Sequence, residues 1–261
     1  MSLQYSRLFQ LRAGLLLINE EGPLNKDGLA EELRKRKSID AAKKDEYKKE
    51  GAKNIITQLR QADLIKEVEG GYGLTTSEEL DESVDNRVLF YTGREVLGEV
   101  GEREQAERIL SNIMYQHPML IVLSKFVHRH APVNKHEIKR EFDGESFLDD
   151  KMNSFTIDMG LNLLSDAEVI QASDSKFNRG RWPIRLFAHV VHEEYFDLGG
   201  DEGGGVREPE LFERLQIMYG INRDTFDKLL NRLHNEGIIS EASYEEIILN
   251  SEALEEANIH E

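Results

Sequence analysis

Two groups of histidines stand out among the side chains that could do chemistry. His189-x-x-His192-Glu193 would set two imidazoles on one face of a helix, and His128, His130 and His136 fall within one short stretch. Imidazole nitrogens in such groups are the usual ligands of zinc. Neither has the His-Glu-x-x-His order with which a metalloprotease brings a base beside its metal, so both are expected to be ordinary histidines. Residues 197–208 hold carboxylates at the first, fifth and twelfth places of a calcium loop, but Gly199 fills the third and Glu202 stands where a turn glycine is obligatory. The glycine run from 199 to 205 has no Gly-Lys-Ser/Thr after it and so is no phosphate loop. Glu137-Ile138-Lys139 has the acid-x-lysine form of a nuclease motif without the aspartate-bearing strand that should precede it. The expectation is a protein that is not an enzyme and carries no metal or cofactor.

Binding chemistry is better represented. Over residues 45–61, Ala52, Ile55, Ile56 and Leu59 share one side of a helix at 100° per residue, and that side must be core. Tyr47, Glu50, Lys53, Asn54, Thr57, Gln58 and Gln61 occupy the other. Amides pair bidentately with adenine and a threonine methyl meets that of thymine, so this face suits a DNA major groove. Lys43, Lys44, Lys48 and Lys49 would reach phosphates near its start, with Tyr72 on the hairpin that follows. Glu50 stands in the same face and favours plain solvation. A second basic island, Lys176, Arg179, Arg181 and Arg185 around Trp182, has no acidic residue between 175 and 189. It could meet phosphates or a minor groove, or form cation-π and ion pairs with the acidic remainder.

The charge balance narrows this further. Of the net −17, residues 1–76 contribute +2, with 14 Lys+Arg against 12 Asp+Glu, and the rest −19. Only the first part could rest on a polyanion, and distant acidic parts are screened over about 8 Å. Cysteine is absent, which excludes disulfides and thiolate metal sites and suits a reducing interior. The longest apolar run, 119–123, is far short of the roughly 18 residues that cross a bilayer. Arg12 interrupts the apolar stretch 8–18, which reads as a core helix rather than a signal peptide. A cytoplasmic protein without membrane contact is expected.

The elements that must position these residues come from a phrase used three times. Leu59-x-x-Ala62-Asp63-Leu64-Ile65, Leu164-x-x-Ala167-Glu168-Val169-Ile170 and Leu233-x-x-Glu236-Gly237-Ile238-Ile239 each carry an apolar helix through a tight exit into a β-prone stub. The first is followed by Gly70-Gly71, the tip of an expected hairpin over 65–74. Asn25 caps a helix reaching Arg36, the basic run 34–37 closes it, and Asn134-x-x-Glu137 has capping-box spacing. The third helix of the second module, 151–164, is apolar on nearly every side around a strip of Ser154, Asp158 and Asn162, and should be covered. In the third module Asp224 and Asp227 stand beside Lys228, Asn231 and Asn235, which disfavours DNA.

Together these give a mainly α fold with small β-wings, α+β in class. The modules are expected at 1–76, 104–196 and 207–250, with a connector at 77–103, a glycine-rich hinge at 197–206 and a mobile acidic tail at 251–261. The three phrases resemble those of the winged-helix superfamily, in tandem. In size and acidity the chain also looks like the accessory subunits that bind kleisin in chromosome-organising complexes. The resemblance implies a DNA-associated protein whose first module holds duplex DNA. Modules two and three would hold a protein partner or a second copy of the chain. The rival expectation is an interaction hub that does not touch DNA. The likeness lies in packing positions, so no binding residue is carried over from it.

Overall fold

A computed structural model describes residues 7–35, 49–77, 88–147, 150–201, 204–242, 245–257 and 259. Among them the protein is mainly helical with small antiparallel sheets. One succession recurs three times: helix, short strand, helix, helix, hairpin. The first unit comprises α1 (Leu8–Glu21), α2 (Lys26–Lys35), α3 (Lys49–Gln61), β1 (Ile65–Val68) and β2 (Gly71–Leu74). A single bridge from Leu24 to Tyr72 stands in for its lone strand. After it come α4 (Gly93–Val96) and α5 (Glu102–Gln116).

The second unit runs through α6 (Met119–His130), β3 (Val133–Asn134) and α7 (Lys135–Phe142). A small hairpin, β4 (Ser146–Phe147) and β5 (Asp150–Lys151), precedes α8 (Ser154–Asp166), β6 (Ile170–Ser173) and β7 (Lys176–Arg179). The third has α9 (Ile184–Asp197), β8 (Val206–Arg207), α10 (Glu208–Tyr219), α11 (Arg223–Asn235), β9 (Ile239–Ala242) and β10 (Glu246–Leu249). The chain continues into α12 (Ser251–Glu256). In every unit the lone strand pairs with the second strand of the hairpin: Leu24 with Tyr72, Val133 with Phe177, Val206 with Ile247.

Local chemistry explains the joints. Asn25 Oδ1 accepts from the amides of Asp27 and Gly28, and Asn134 and Glu137 close their box at 3.0 and 2.7 Å. Asn153 and Asn222 cap α8 and α11 in the same way. The first hairpin turns through Glu69 and Gly70, one residue earlier than expected, and Gly71 already belongs to β2. A side chain at Gly71 would overlap the backbone of Leu24, so this glycine admits the bridging strand.

Three segments between and after the expected modules take definite form. Helix α9, assigned by sequence to the second module, packs on α10 and α11 and opens the third unit. Helix α9 also packs on α6 and α5, and the glycine-rich segment lies between α9 and β8. The connector holds α4, and residues 88–92 are tied to side chains of α5: Ser111 Oγ donates to Leu89 O, and Asn112 brackets Tyr91. The acidic end is not loose where it is described: Ala253, Leu254, Ala257 and Ile259 are buried. Central to all this is α5, which packs against α1, α4, α6 and α9. Its neighbours decide which surfaces of the three units remain open. Among the described residues no helix is long and apolar enough to cross a membrane.

Candidate nucleic-acid interface

Helix α3 presents the expected core side, with Ala52, Ile55, Ile56 and Leu59 buried against α1 and α2. On its other side Lys53 and Arg60 are exposed and Asn54 and Thr57 half-buried. Arg60 Nη1 lies 3.2 Å from Glu67 Oε1, and the Tyr72 hydroxyl donates to the same oxygen at 3.3 Å. The hairpin thus sets the Glu67 carboxylate against Arg60 and beside Tyr72, the latter an expected DNA contact. Lys43, Lys44 and Lys48 lie outside the described residues, and Lys49 is described only as backbone at the start of α3.

The far end of this face is closed, which corrects two of the expected contacts. Gln58 is buried, its amide 3.5 Å from His117 Nε2, and Gln61 Oε1 is buried as well. Both are covered because α5 crosses the last turn of α3: Asn112 Nδ2 donates to Ala62 O at 2.8 Å and Gln116 Nε2 to Asp63 at 3.4 Å. The open strip is therefore Lys53, Asn54, Thr57 and Arg60.

In the second unit the corresponding helix is walled off. Gly160 of α8 faces Leu120, Leu123 and Met119 of α6 so closely that a side chain there would collide with them. Helix α1 lies against α8, and Arg7 grips Asp166 with two nitrogens of its guanidinium. Ile157, Met159, Leu161, Leu163 and Leu164 are buried, as a helix apolar on most sides requires, but Phe155 is 65% exposed. Asp158 is held by Lys135 and Lys139 at 2.9 and 3.0 Å.

The second basic island is spent largely on the fold. Arg185 is fully buried and donates to Ser111 Oγ at 3.2 Å, Leu89 O at 2.9 Å, Val88 O at 3.3 Å and Ala257 O. Its guanidinium also lies 5.1 Å from the ring centre of Tyr115, and burial lowers its pKa to about 10. It cannot reach DNA. Arg181 donates to Ala167 O at 2.6 Å and pairs with Glu107 at 3.3 Å; Glu107 also holds Arg232 at 2.6 Å. Trp182 is half-buried among His128, Tyr219 and Phe187, with ring centres 4.4, 6.0 and 6.4 Å away. Only Lys176 and Arg179 of the island are exposed.

The histidines divide in the same way. His128 is buried, with Nε2 2.9 Å from Val169 O. Burial lowers its pKa to about 4, against the opposing pull of that hydrogen bond and with help from Arg179. Among the described residues no three metal-ligating side chains converge. Glu107, which joins α5 to the stretch after β7 and to α11, has no signal in the sequence, since it reads as one more acid on a solvated helix. No family, characterised protein or solved structure matches the chain.

Proposed function

We propose that this is a tandem winged-helix protein whose first unit holds duplex DNA and whose second and third units hold a protein partner. The repeated succession of elements, with the lone strand always beside the second hairpin strand, supports the superfamily reading. One observation carries the DNA contact: Lys53, Asn54 and Thr57 line the open strip of α3, whereas α8 is covered by α1 and α6. The contact uses the N-terminal turns of α3, the lysines that precede it and the first hairpin. No catalysis or cofactor is part of this reading, and a cytoplasmic setting suits it.

Anisotropy of a labelled duplex, titrated with the full chain over a salt series, tests the proposal. If about six phosphates are neutralised, the log-log slope against salt is near −5, and Lys53→Glu weakens binding at every salt concentration. A slope near zero removes it. The rival reading, a hub that binds only protein, draws on Ile217 of α10, which is 70% exposed. There Lys53→Glu leaves partner binding and cellular role intact.

A further inference from the structure

A cleft of about 850 Å³ opens between α5, the stretch joining β7 to α9, and α11. It has the dimensions of a small-molecule site. Five cations and three carboxylates line it, a surplus of two positive charges in a chain of net −17. Most are already committed. Glu107 takes Arg181 and Arg232, Glu104 takes Arg108 at 2.7 Å, and Arg103 reaches Glu168 at 3.4 Å. Arg179 and Lys228 are not: neither has a carboxylate within salt-bridge distance among the described residues.

Arg179 is also held in place. Its Nε donates to His128 O at 2.7 Å, which fixes the plane of the guanidinium and leaves both terminal nitrogens without a protein partner among the described residues. Gly220, at φ +70°, ends α10 in the left-handed conformation and lets the guanidinium lie on its backbone; a Cβ there would overlap Nη1. A fixed fork of N–H donors is what a phosphate requires. Asp224, a carboxylate without an ion pair among the described residues, lines the same cleft with Thr225, and Trp182 adds an apolar side. A carboxylate beside two cations disfavours a bare polyanion and favours a ligand that also brings hydroxyl donors.

We propose that this cleft binds a small phosphorylated molecule bearing hydroxyl groups, of the nucleoside phosphate class, with its phosphate on Arg179 and Lys228 and its hydroxyls on Asp224 and Thr225. The site is independent of the DNA contact, since it shares no residue with α3 or its hairpin.

Isothermal titration of the full chain with ADP at low ionic strength is the test. One saturable site per chain is expected, and Arg179→Gln and Lys228→Gln should each weaken ADP about tenfold, the loss of one charge-assisted hydrogen bond or more. Lys228 is exposed, so its variant folds whatever Arg179→Gln does. Lys176→Gln and Lys53→Glu should bind ADP as the wild type does, the second even where duplex binding is lost. The proposal is overturned by the absence of saturable ADP binding at millimolar concentration. Wild-type affinity in Lys228→Gln, or binding of a single-stranded oligonucleotide without binding of ADP, would overturn it as well.

Discussion

Arg185, in the first turn of α9, donates from Nη1 to the carbonyl of Ala257, just beyond α12, and so pins the C-terminal segment to the centre of the molecule. With Leu89 O, Val88 O and Ser111 Oγ on its other nitrogens, one guanidinium ties four parts of the chain together, with no carboxylate on it among the described residues. A buried charge satisfied only by neutral acceptors is stable as long as all of them stay in place.

Arg185→Met should therefore destabilise the fold by about 3 kcal/mol, because it keeps much of the volume but strands several buried acceptors. Urea denaturation measures this. A midpoint equal to that of the wild type would mean that relief of the buried charge offsets the lost hydrogen bonds. Removal of residues 251–261 should lower stability too, since it bares the same guanidinium.

Stability should fall in mild acid through His128. Its pKa drops from the ordinary 6.5 to about 4 on folding, so between these values the unfolded chain binds the proton and the folded one does not. This contribution is whole above about pH 6.5 and is lost as pH falls towards 4, with about 2 kcal/mol gone near pH 5. Trp182, the sole tryptophan, packs against His128 with the rings tilted by 52° and reports unfolding by its fluorescence. His128→Gln keeps a donor for Val169 O without a titrating ring, so its stability should change less over the same interval. Parallel profiles for the two proteins would count against this assignment.

Gln58 and Asn54 should separate folding from recognition. Gln58→Ala is expected to cost about 1 kcal/mol of stability, since its amide is buried beside His117, and to leave duplex affinity as it was. Asn54→Ala should do the reverse. If Gln58→Ala weakened DNA binding at unchanged stability, α5 would have to leave the last turn of α3 in the complex.

Periodicity and caps made the local layout legible. Asn134 and Glu137 announced a helix start, Gly70 a turn, and the spacing of Ala52, Ile55, Ile56 and Leu59 the inner face of α3. Least legible was the outside of an element: Gln58 and Arg185 are buried, whereas Lys53 and Lys176 are exposed. Nothing near Gln58 in sequence signals that α5, some fifty residues on, will cover it, and an arginine at 185 reads as surface until Val88, Leu89 and Ala257 are brought round it. Exposure depends on long-range packing, while a helical wheel reports only the angle between neighbours. The glycine-rich run reads as a hinge, and nothing in it signals that α9 before it packs on α6 as well as on α10 and α11.

The seating of α1 against α8 bears on how the chain can be divided. A protease cut between residues 77 and 88 would sever one covalent link but not the apolar wall that both halves share, nor the clasp of Arg7 on Asp166. The nicked chain should migrate as one particle, and the amino-terminal piece made alone should be sticky and poorly soluble.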